Sequence, residues 1–220
     1  MTAVLALYSS TPQHGKTTVA KTIQASTGAT VLSFAHAPRL MLASLMRTFG
    51  HNDESIHWHL RGDGKHMPIE GIGKSYRECM ESLASGWGRR LLGEPDIWAR
   101  QVERQIEKER ERGTLLIMID DLRMPHEYEA MARQGAFMAR ISKPDIDLTA
   151  ANNVESNRGL DDEDAYPMHM KILNNGSREQ LARSAYSLID MIEADASPDH
   201  PGQPRKSVHY GALRDPAPGL

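Results

Sequence analysis

The feature that most constrains the fold is a short apolar segment, residues 3–8, that leads through a polar loop into Gly15-Lys16-Thr17-Thr18. A helical pattern opens at this motif, and strand, loop and helix in that order are the setting of a phosphate-binding loop. Glycine lets the backbone approach a polyphosphate, whose oxygens then meet N–H groups at the start of a helix. The chain departs from the pattern G-x-x-x-x-G-K-[ST] at Ser10, which stands where the first glycine is usual.

The residue types of this motif predict what each would do. Lys16 would reach the β- and γ-phosphates of a nucleotide, and the Thr17 hydroxyl would hold Mg²⁺. His14, Gly15 and Thr18 complete the predicted nucleotide-binding segment. The alternative is a chance Gly-Lys-Thr on a surface turn, which the flanking strand and helix patterns disfavour.

Composition narrows the class of protein. The 220 residues are 25% charged and 40% hydrophobic, which suits one α/β domain with a sizeable core. The net charge of -3 gives no general attraction to nucleic acid. Cys79 is the single cysteine, which excludes a disulfide framework and a cysteine-based zinc site. Since there is no apolar run of membrane-spanning length and no signal-peptide pattern, we expect a cytoplasmic protein without a membrane partner.

Apolar runs and helical patterns alternate along most of the chain. Strands are predicted at residues 3–8, 30–34, 114–119, 137–141 and 170–173. Helices are predicted at residues 15–25, 38–49, 75–92, 95–112, 125–133 and 177–192. This alternation predicts an α/β fold with a mainly parallel, right-handed, doubly wound sheet.

Two polar stretches are predicted to lie outside the core. Residues 51–73 are rich in His, Gly and Asp and indicate a lid-like excursion. Residues 196–220 are rich in Pro, Gly, His and Asp and indicate a flexible tail. The folded domain is therefore expected to span residues 1–195.

Charged residues follow the most apolar of the predicted strands. Asp120, Asp121 and Arg123 come after residues 114–119, and open parallel sheets bind ligands at the carboxyl ends of their strands. Asp121 is predicted to orient magnesium together with Thr17, because a carboxylate facing a phosphate loop suits that role. Arg123 could clamp a phosphate through two hydrogen bonds. The alternative is a strand end capped by solvated charges.

Basic residues in the middle of the chain are candidates for binding a phosphorylated acceptor. Phosphoryl transfer needs several cations to spread the charge of the moving group. Arg77 and Arg89 are predicted for that role, and Lys74, Arg39 and Arg90 are predicted to contact the acceptor. The alternative is a basic helix face that pairs with neighbouring glutamates.

Two further side chains could contact a base. Phe34 could stack on a base, although a role in the core suits it better. Asn174 follows the last predicted strand, where its amide could read the edge of a ring. The alternative for Asn174 is a plain turn, with Ser177 as the N-cap of the next helix.

The order of these segments resembles that of the phage-type deoxynucleoside monophosphate kinases of the P-loop kinase superfamily. The resemblance covers about residues 4–189 and depends on the order and spacing of several motifs. The matching motifs are Gly15-Lys16-Thr17-Thr18, Ser33-Phe34-Ala35, Pro38-Arg39, Ser75-Tyr76-Arg77, Trp87-Gly88-Arg89, Asp96-Ile97-Trp98, Asp121-Leu122-Arg123, Pro125, Glu127 and Ile172-Leu173-Asn174-Asn175-Gly176-Ser177.

The resemblance implies a three-layer P-loop NTPase fold and transfer of the ATP γ-phosphoryl to a deoxynucleoside 5′-monophosphate with Mg²⁺. A homodimer is common among such kinases, and a phage-encoded chain would act in the host cytoplasm. By position, the implied site consists of Lys16 and Thr17 for ATP and the metal, Arg39, Arg77 and Arg89 for the acceptor or the transferred phosphoryl, Asp121 and Arg123 at the active centre, and Asn174 near adenine.

Two other functions are compatible with the sequence. A related kinase would phosphorylate a modified base, such as 5-hydroxymethyluracil, within DNA. The chain has Ala84-Ser85-Gly86 where the resembling kinases tend to have Gly-Thr-Glu, which would suit a different acceptor. The acidic net charge opposes this reading, because binding a polymer usually needs a strongly basic face. The other function is a non-catalytic nucleotide-binding module, in which Asp121 and Arg123 would lack a purpose.

Overall fold

A computed structural model describes residues 2–10, 14–144, 159–195 and 208–210 of the chain. The chain forms two compact units. Unit 1 comprises residues 1–33 and 103–220, and unit 2 comprises residues 34–102. Because unit 2 is one continuous stretch, it is an insertion between the second and third strands of unit 1.

Unit 1 is built on a parallel sheet. Its strands in the described part of the chain are β1 Ala3–Tyr8, β2 Thr30–Leu32, β3 Leu116–Leu122, β4 Phe137–Ser142, β5 Met170–Leu173 and β6 Val208–Tyr210. They lie in the order β2-β3-β1-β4-β5-β6, and each neighbouring pair is parallel. The carboxyl ends of the strands therefore lie along one edge, which is where parallel sheets bind ligands.

Helices occupy most of the stretches where the sequence predicted them. They are α1 Lys16–Thr27, α2 His36–Thr48, α3 Asp53–Arg61, α4 Tyr76–Met80, α5 Ile97–Glu111, α6 Pro125–Arg133 and α7 Arg178–Asp195. Of these, α3 is an additional helix within the stretch 51–73. Helices α2 to α4 belong to unit 2, and the boundary between the units falls within α5. Among the described residues, none of these helices is both long enough and apolar enough to cross a membrane.

Both faces of the sheet are buried. Helices α1 and α7 share an apolar core with the face of β1 that carries Leu5 and Leu7. Val4 and Ala6 alternate with these residues along β1 and are buried as well. A parallel strand buried on two faces reads as a continuous apolar run, which is what β1 shows. The sheet, its flanking helices and the loop after β1 give the three-layer P-loop NTPase fold, so the predicted fold class is confirmed.

Strand β3 is longer than the sequence predicted. The apolar run ends at Ile119, but the strand continues to Leu122 and includes Asp120 and Asp121. Both carboxylates are half-buried. Because successive side chains of a strand point to opposite faces, the two carboxylates face different ways.

Unit 2 has an apolar core of its own. Leu42 and Met46 of α2 pack there with Ile56, Leu60 and Ile69. The last three residues belong to the stretch 51–73, which the sequence predicted to contribute nothing to a core. The spacing of Ile56 and Leu60 places both on one face of α3, which explains how a polar stretch supplies apolar contacts. A lid-like role for this stretch stays a prediction.

The single helix predicted over residues 75–92 is instead α4 followed by a π-helical segment, Glu81–Leu91. Within that segment a Cβ at Gly88 would lie 2.4 Å from Cζ2 of Trp98, so the indole occupies the space of a side chain. The Trp98 indole N–H also donates to the Ala84 carbonyl over 3.0 Å. Such widened helices recur at functional sites.

The last strand lies in the segment predicted to be a flexible tail. Residues Val208–Tyr210 pair with β5 at the edge of the sheet. The rest of that prediction, residues 196–207 and 211–220, lies outside the described residues.

Candidate functional site

The predicted phosphate-binding loop ends at a glycine that no other residue could replace without strain. Gly15 has a φ of +95°, in the left-handed region that favours glycine. A Cβ at this position would lie 2.7 Å from Nδ2 of Asn174 and 2.7 Å from Cδ2 of Leu181. In the first turn of α1, Thr17 is exposed and Thr18 is half-buried. Residues 11–13 of the loop lie outside the described residues.

Lys16, the first residue of α1, interacts electrostatically with several charged residues of the candidate site. Burial lowers the pKa of Lys16 from its ordinary value of 10.5 to about 8, and the Arg123 guanidinium acts in the same direction. The carboxylates of Asp121, Asp120 and Glu127 oppose this change. Unit 1 therefore brings the lysine of the loop within interaction range of the predicted Asp121 and Arg123. An ammonium whose charge is only partly balanced by neighbouring carboxylates favours an anionic ligand. The N-terminus of α1 adds to this preference.

Asp121 is oriented by the neighbouring strand. Ser33 is buried just after β2, and its Oγ donates to Oδ2 of Asp121 over 2.6 Å. Carboxylate and hydroxyl oxygens are the ligands that Mg²⁺ prefers. In the described part of the chain, no group of three or more His, Cys, Asp or Glu side chains could hold a metal. A nucleotide-bound Mg²⁺ commonly takes only one or two protein ligands besides phosphates and water, so Asp121 and Thr17 fit it.

Glu127 organises the turn that carries Arg123. Its Oε2 accepts hydrogen bonds from the backbone N–H groups of Arg123 and Met124, at 2.9 and 3.0 Å. Glu127 is buried, whereas Arg123 is exposed. These hydrogen bonds therefore fix the backbone from which the Arg123 side chain extends. The sequence signal for this role is an acidic residue at the third position of a helix that starts with Pro125.

Asn174 contacts the predicted phosphate-binding loop directly. Its Nδ2 donates to the backbone carbonyl of His14 over 3.0 Å. The sequence had predicted that this amide lies near adenine, and that contact stays a prediction. His14 itself is buried, and burial lowers the pKa of its imidazole, while the Ile141 backbone and the Asp161 carboxylate oppose the change.

The sequence did not predict a network of polar side chains around the buried residues Tyr8 and Arg140. Tyr8, the last residue of β1, donates from its hydroxyl to Oδ1 of Asp161 over 2.5 Å, and burial raises the pKa of Tyr8. The guanidinium of Arg140 lies 5.0 Å from the centre of the Tyr8 ring. Arg140 also donates to the Leu160 carbonyl over 2.6 Å and faces Asp161 and Glu163 at 3.9 and 3.7 Å. A single arginine within the apolar run 137–141 was the available signal, because arginine is rarely buried unless it is paired.

Two of the predicted acceptor contacts lie near the start of unit 2. Arg39 is half-buried, and its Nε donates to the Tyr76 hydroxyl over 3.0 Å. Phe34 is only 4% exposed, which favours a role in the core over stacking on a base. The sequence did not single out Tyr76 as the partner of Arg39.

The other predicted acceptor contacts follow in α4 and the π-helical segment. Lys74 pairs with Glu78 over 3.1 Å at the surface, a contact of the weak, solvent-screened kind. Arg77 and Arg90 are exposed and Arg89 is half-buried. The structure thus groups these cations in unit 2, and the predicted ATP and metal residues in unit 1.

Comparisons with known proteins do not assign the chain to a family. No protein-family model matches the chain, and no curated protein does. Among solved structures the chain is similar to an unliganded sugar kinase from Janibacter sp., with a TM-score of 0.44 and 16% sequence identity. That match covers 90% of this chain and 99% of the sugar kinase. Similarity this low does not identify a substrate.

Proposed function

We propose that the protein transfers the γ-phosphoryl of ATP to a deoxynucleoside 5′-monophosphate. The observation that supports a phosphotransferase best is the setting of Lys16, half-buried at the start of a helix with its pKa lowered to about 8. Such a group is poised to gain an anionic partner, and a triphosphate supplies one. The same site offers Asp121 and Arg123, which a module that only binds nucleotide would not need.

Each residue of the site has a role that its surroundings support. Lys16 would bind the β- and γ-phosphates, and Arg123 would clamp the transferred group through two hydrogen bonds. Asp121 and Thr17 would hold Mg²⁺, which would neutralise phosphate charge when bound. Because the acceptor is already an anionic phosphate, the protein needs to position and neutralise the groups, and a strong general base is unnecessary.

The acceptor is proposed to meet the basic residues of unit 2. Arg39 is a good candidate because the Tyr76 hydroxyl fixes its guanidinium. Arg77 and Arg89 are proposed to bind the acceptor phosphate or the moving phosphoryl group. A free nucleotide is favoured over DNA because the net charge is -3, and because a polymer acceptor usually requires a broad basic face.

The test offers the protein ATP and Mg²⁺ with each deoxynucleoside monophosphate, beside duplex DNA that contains 5-hydroxymethyluracil. A diphosphate product from a free nucleotide is expected. Label that appears only in DNA would replace the proposed acceptor with a base in DNA. The absence of transfer to either acceptor would contradict the kinase assignment.

One variant and a matched control test the proposed acceptor role of Arg77. Arg77→Ala should raise the KM of the acceptor by about tenfold, the scale of one lost charge-assisted hydrogen bond, with little change in the KM of ATP. Arg61→Ala removes another exposed arginine of unit 2 and serves as the matched control. Equal effects of Arg77→Ala on both KM values would contradict an acceptor role.

A further inference from the structure

We infer that Asn174 is a positioning residue that orients the anion-binding backbone of the phosphate loop. The inference rests on the proposed function, because it concerns how the loop meets the phosphates of ATP. It assigns Asn174 to the phosphate end of the nucleotide, whereas the sequence had suggested the base.

The backbone of Asn174 is fixed by the sheet. The pairing of β4 with β5 ends at Ser142 and Leu173. The N–H of Asn174 extends this ladder by donating to the Ser142 carbonyl over 2.7 Å. Asn174 therefore starts from a rigid position beside the loop. A side chain attached to a fixed backbone loses little rotamer freedom when it holds its hydrogen-bond partner.

The side chain of Asn174 reaches the peptide group that joins His14 to Gly15. Its Nδ2 donates to the His14 carbonyl over 3.0 Å. The described peptide bonds include no cis form, so the Gly15 N–H points to the opposite side of that peptide from the His14 carbonyl. By holding the carbonyl, Asn174 directs the Gly15 N–H away from itself. This N–H belongs to the group at the start of α1 that a phosphate oxygen would meet.

Gly15 leaves no room for a side chain beside Asn174. A Cβ at Gly15 would lie 2.7 Å from the same Nδ2, and Leu181 of α7 is equally near. The amide and the leucine therefore enclose the glycine, which holds a φ of +95°. A peptide group held in this way keeps one orientation before the nucleotide arrives, and preorganised donors bind anions more tightly.

The experiment measures binding by calorimetry with two probes, MgATP and magnesium tripolyphosphate, which has no base. Asn174→Ala should weaken both probes by about the same factor, on the order of tenfold, which corresponds to about 1.4 kcal/mol. Asn175→Ala, at an exposed neighbour of the same residue type, should change neither affinity.

A second variant guards against loss of folding. Asn174→Leu has nearly the same shape but lacks the N–H donor and adds no charge, so it should weaken both probes as Asn174→Ala does. Wild-type affinity for tripolyphosphate in either folded variant, with only MgATP weakened, would overturn the inference in favour of base reading. If the wild-type protein bound neither probe, the proposed function itself would fail, which is a distinguishable result.

Discussion

Replacing Lys16 with methionine should stabilise the nucleotide-free protein while it abolishes ATP binding. Folding lowers the pKa of Lys16 from 10.5 to about 8, so the folded state disfavours the charged form. At about 1.36 kcal/mol for each pKa unit, this fall corresponds to roughly 3 kcal/mol lost from the free energy of unfolding at pH 7. Methionine keeps an apolar chain of similar length and removes the charge. Because solvent reaches part of the side chain, we expect a gain of about 1–3 kcal/mol.

The stability gained by Lys16→Met should decrease as the pH rises. Below pH 8 the wild-type Lys16 is charged in both states, and the destabilisation is fully present. Between pH 8 and 10.5 the unfolded state binds more protons than the folded state, so the stability contributed by wild-type Lys16 rises with pH. The difference between Lys16→Met and wild type should therefore shrink across this range.

The measurement is urea denaturation, followed by circular dichroism, at several pH values from 7 to 10. Lys21→Met removes an exposed lysine from the same helix and corrects for general effects of charge. The reasoning is refuted if Lys16→Met is less stable than wild type at pH 7. A gain that stays constant from pH 7 to 10 would refute it as well, since it could not then come from the charge of Lys16.

Three further substitutions test other contacts of unit 1. Gly15→Ala should weaken nucleotide binding at least tenfold and cost about 1–3 kcal/mol of stability, because φ and the available space both exclude a Cβ; normal calorimetric binding would contradict this. Ser33→Ala should raise the Mg²⁺ concentration needed for half-maximal turnover several-fold, because Asp121 loses its 2.6 Å hydrogen bond; an unchanged requirement would remove that role. Tyr8→Phe should lower the free energy of unfolding by about 1–3 kcal/mol, since it removes the hydrogen bond from the buried Tyr8 to Asp161; an unchanged urea midpoint would show that the hydroxyl contributes nothing.

Helices and strands whose two ends are marked by neighbouring residues were predicted with their observed bounds. Helix α6 begins at Pro125 and ends two residues before Gly135, which has a φ of +65°. Proline at the first helical position and glycine after the last turn are signals within the element itself. Strands β1 and β5 also have the predicted bounds, because polar loops limit their apolar runs.

Elements that depend on distant partners were predicted less well. The sequence ended β3 at its first carboxylate, because nothing local shows that Ser33 can hold Asp121 within the strand. Nothing local showed either that the Asn174 side chain contacts His14, at the other end of the chain. Hydrophobic periodicity reports which face of an element is buried, and it carries no information on such long-range hydrogen bonds.

The position of unit 2 within the chain also affects how the protein is made. The central strand β1 pairs with β3 and β4, both of which follow unit 2 in the sequence. During translation β1 is synthesised early, but it cannot form its sheet hydrogen bonds until the ribosome has passed Leu122. Unit 2 is continuous and can complete its own core before then, since domains generally fold as units during synthesis. The nascent chain therefore carries β1, the strand that leads into the phosphate loop, as an apolar segment open to chaperones until β3 emerges.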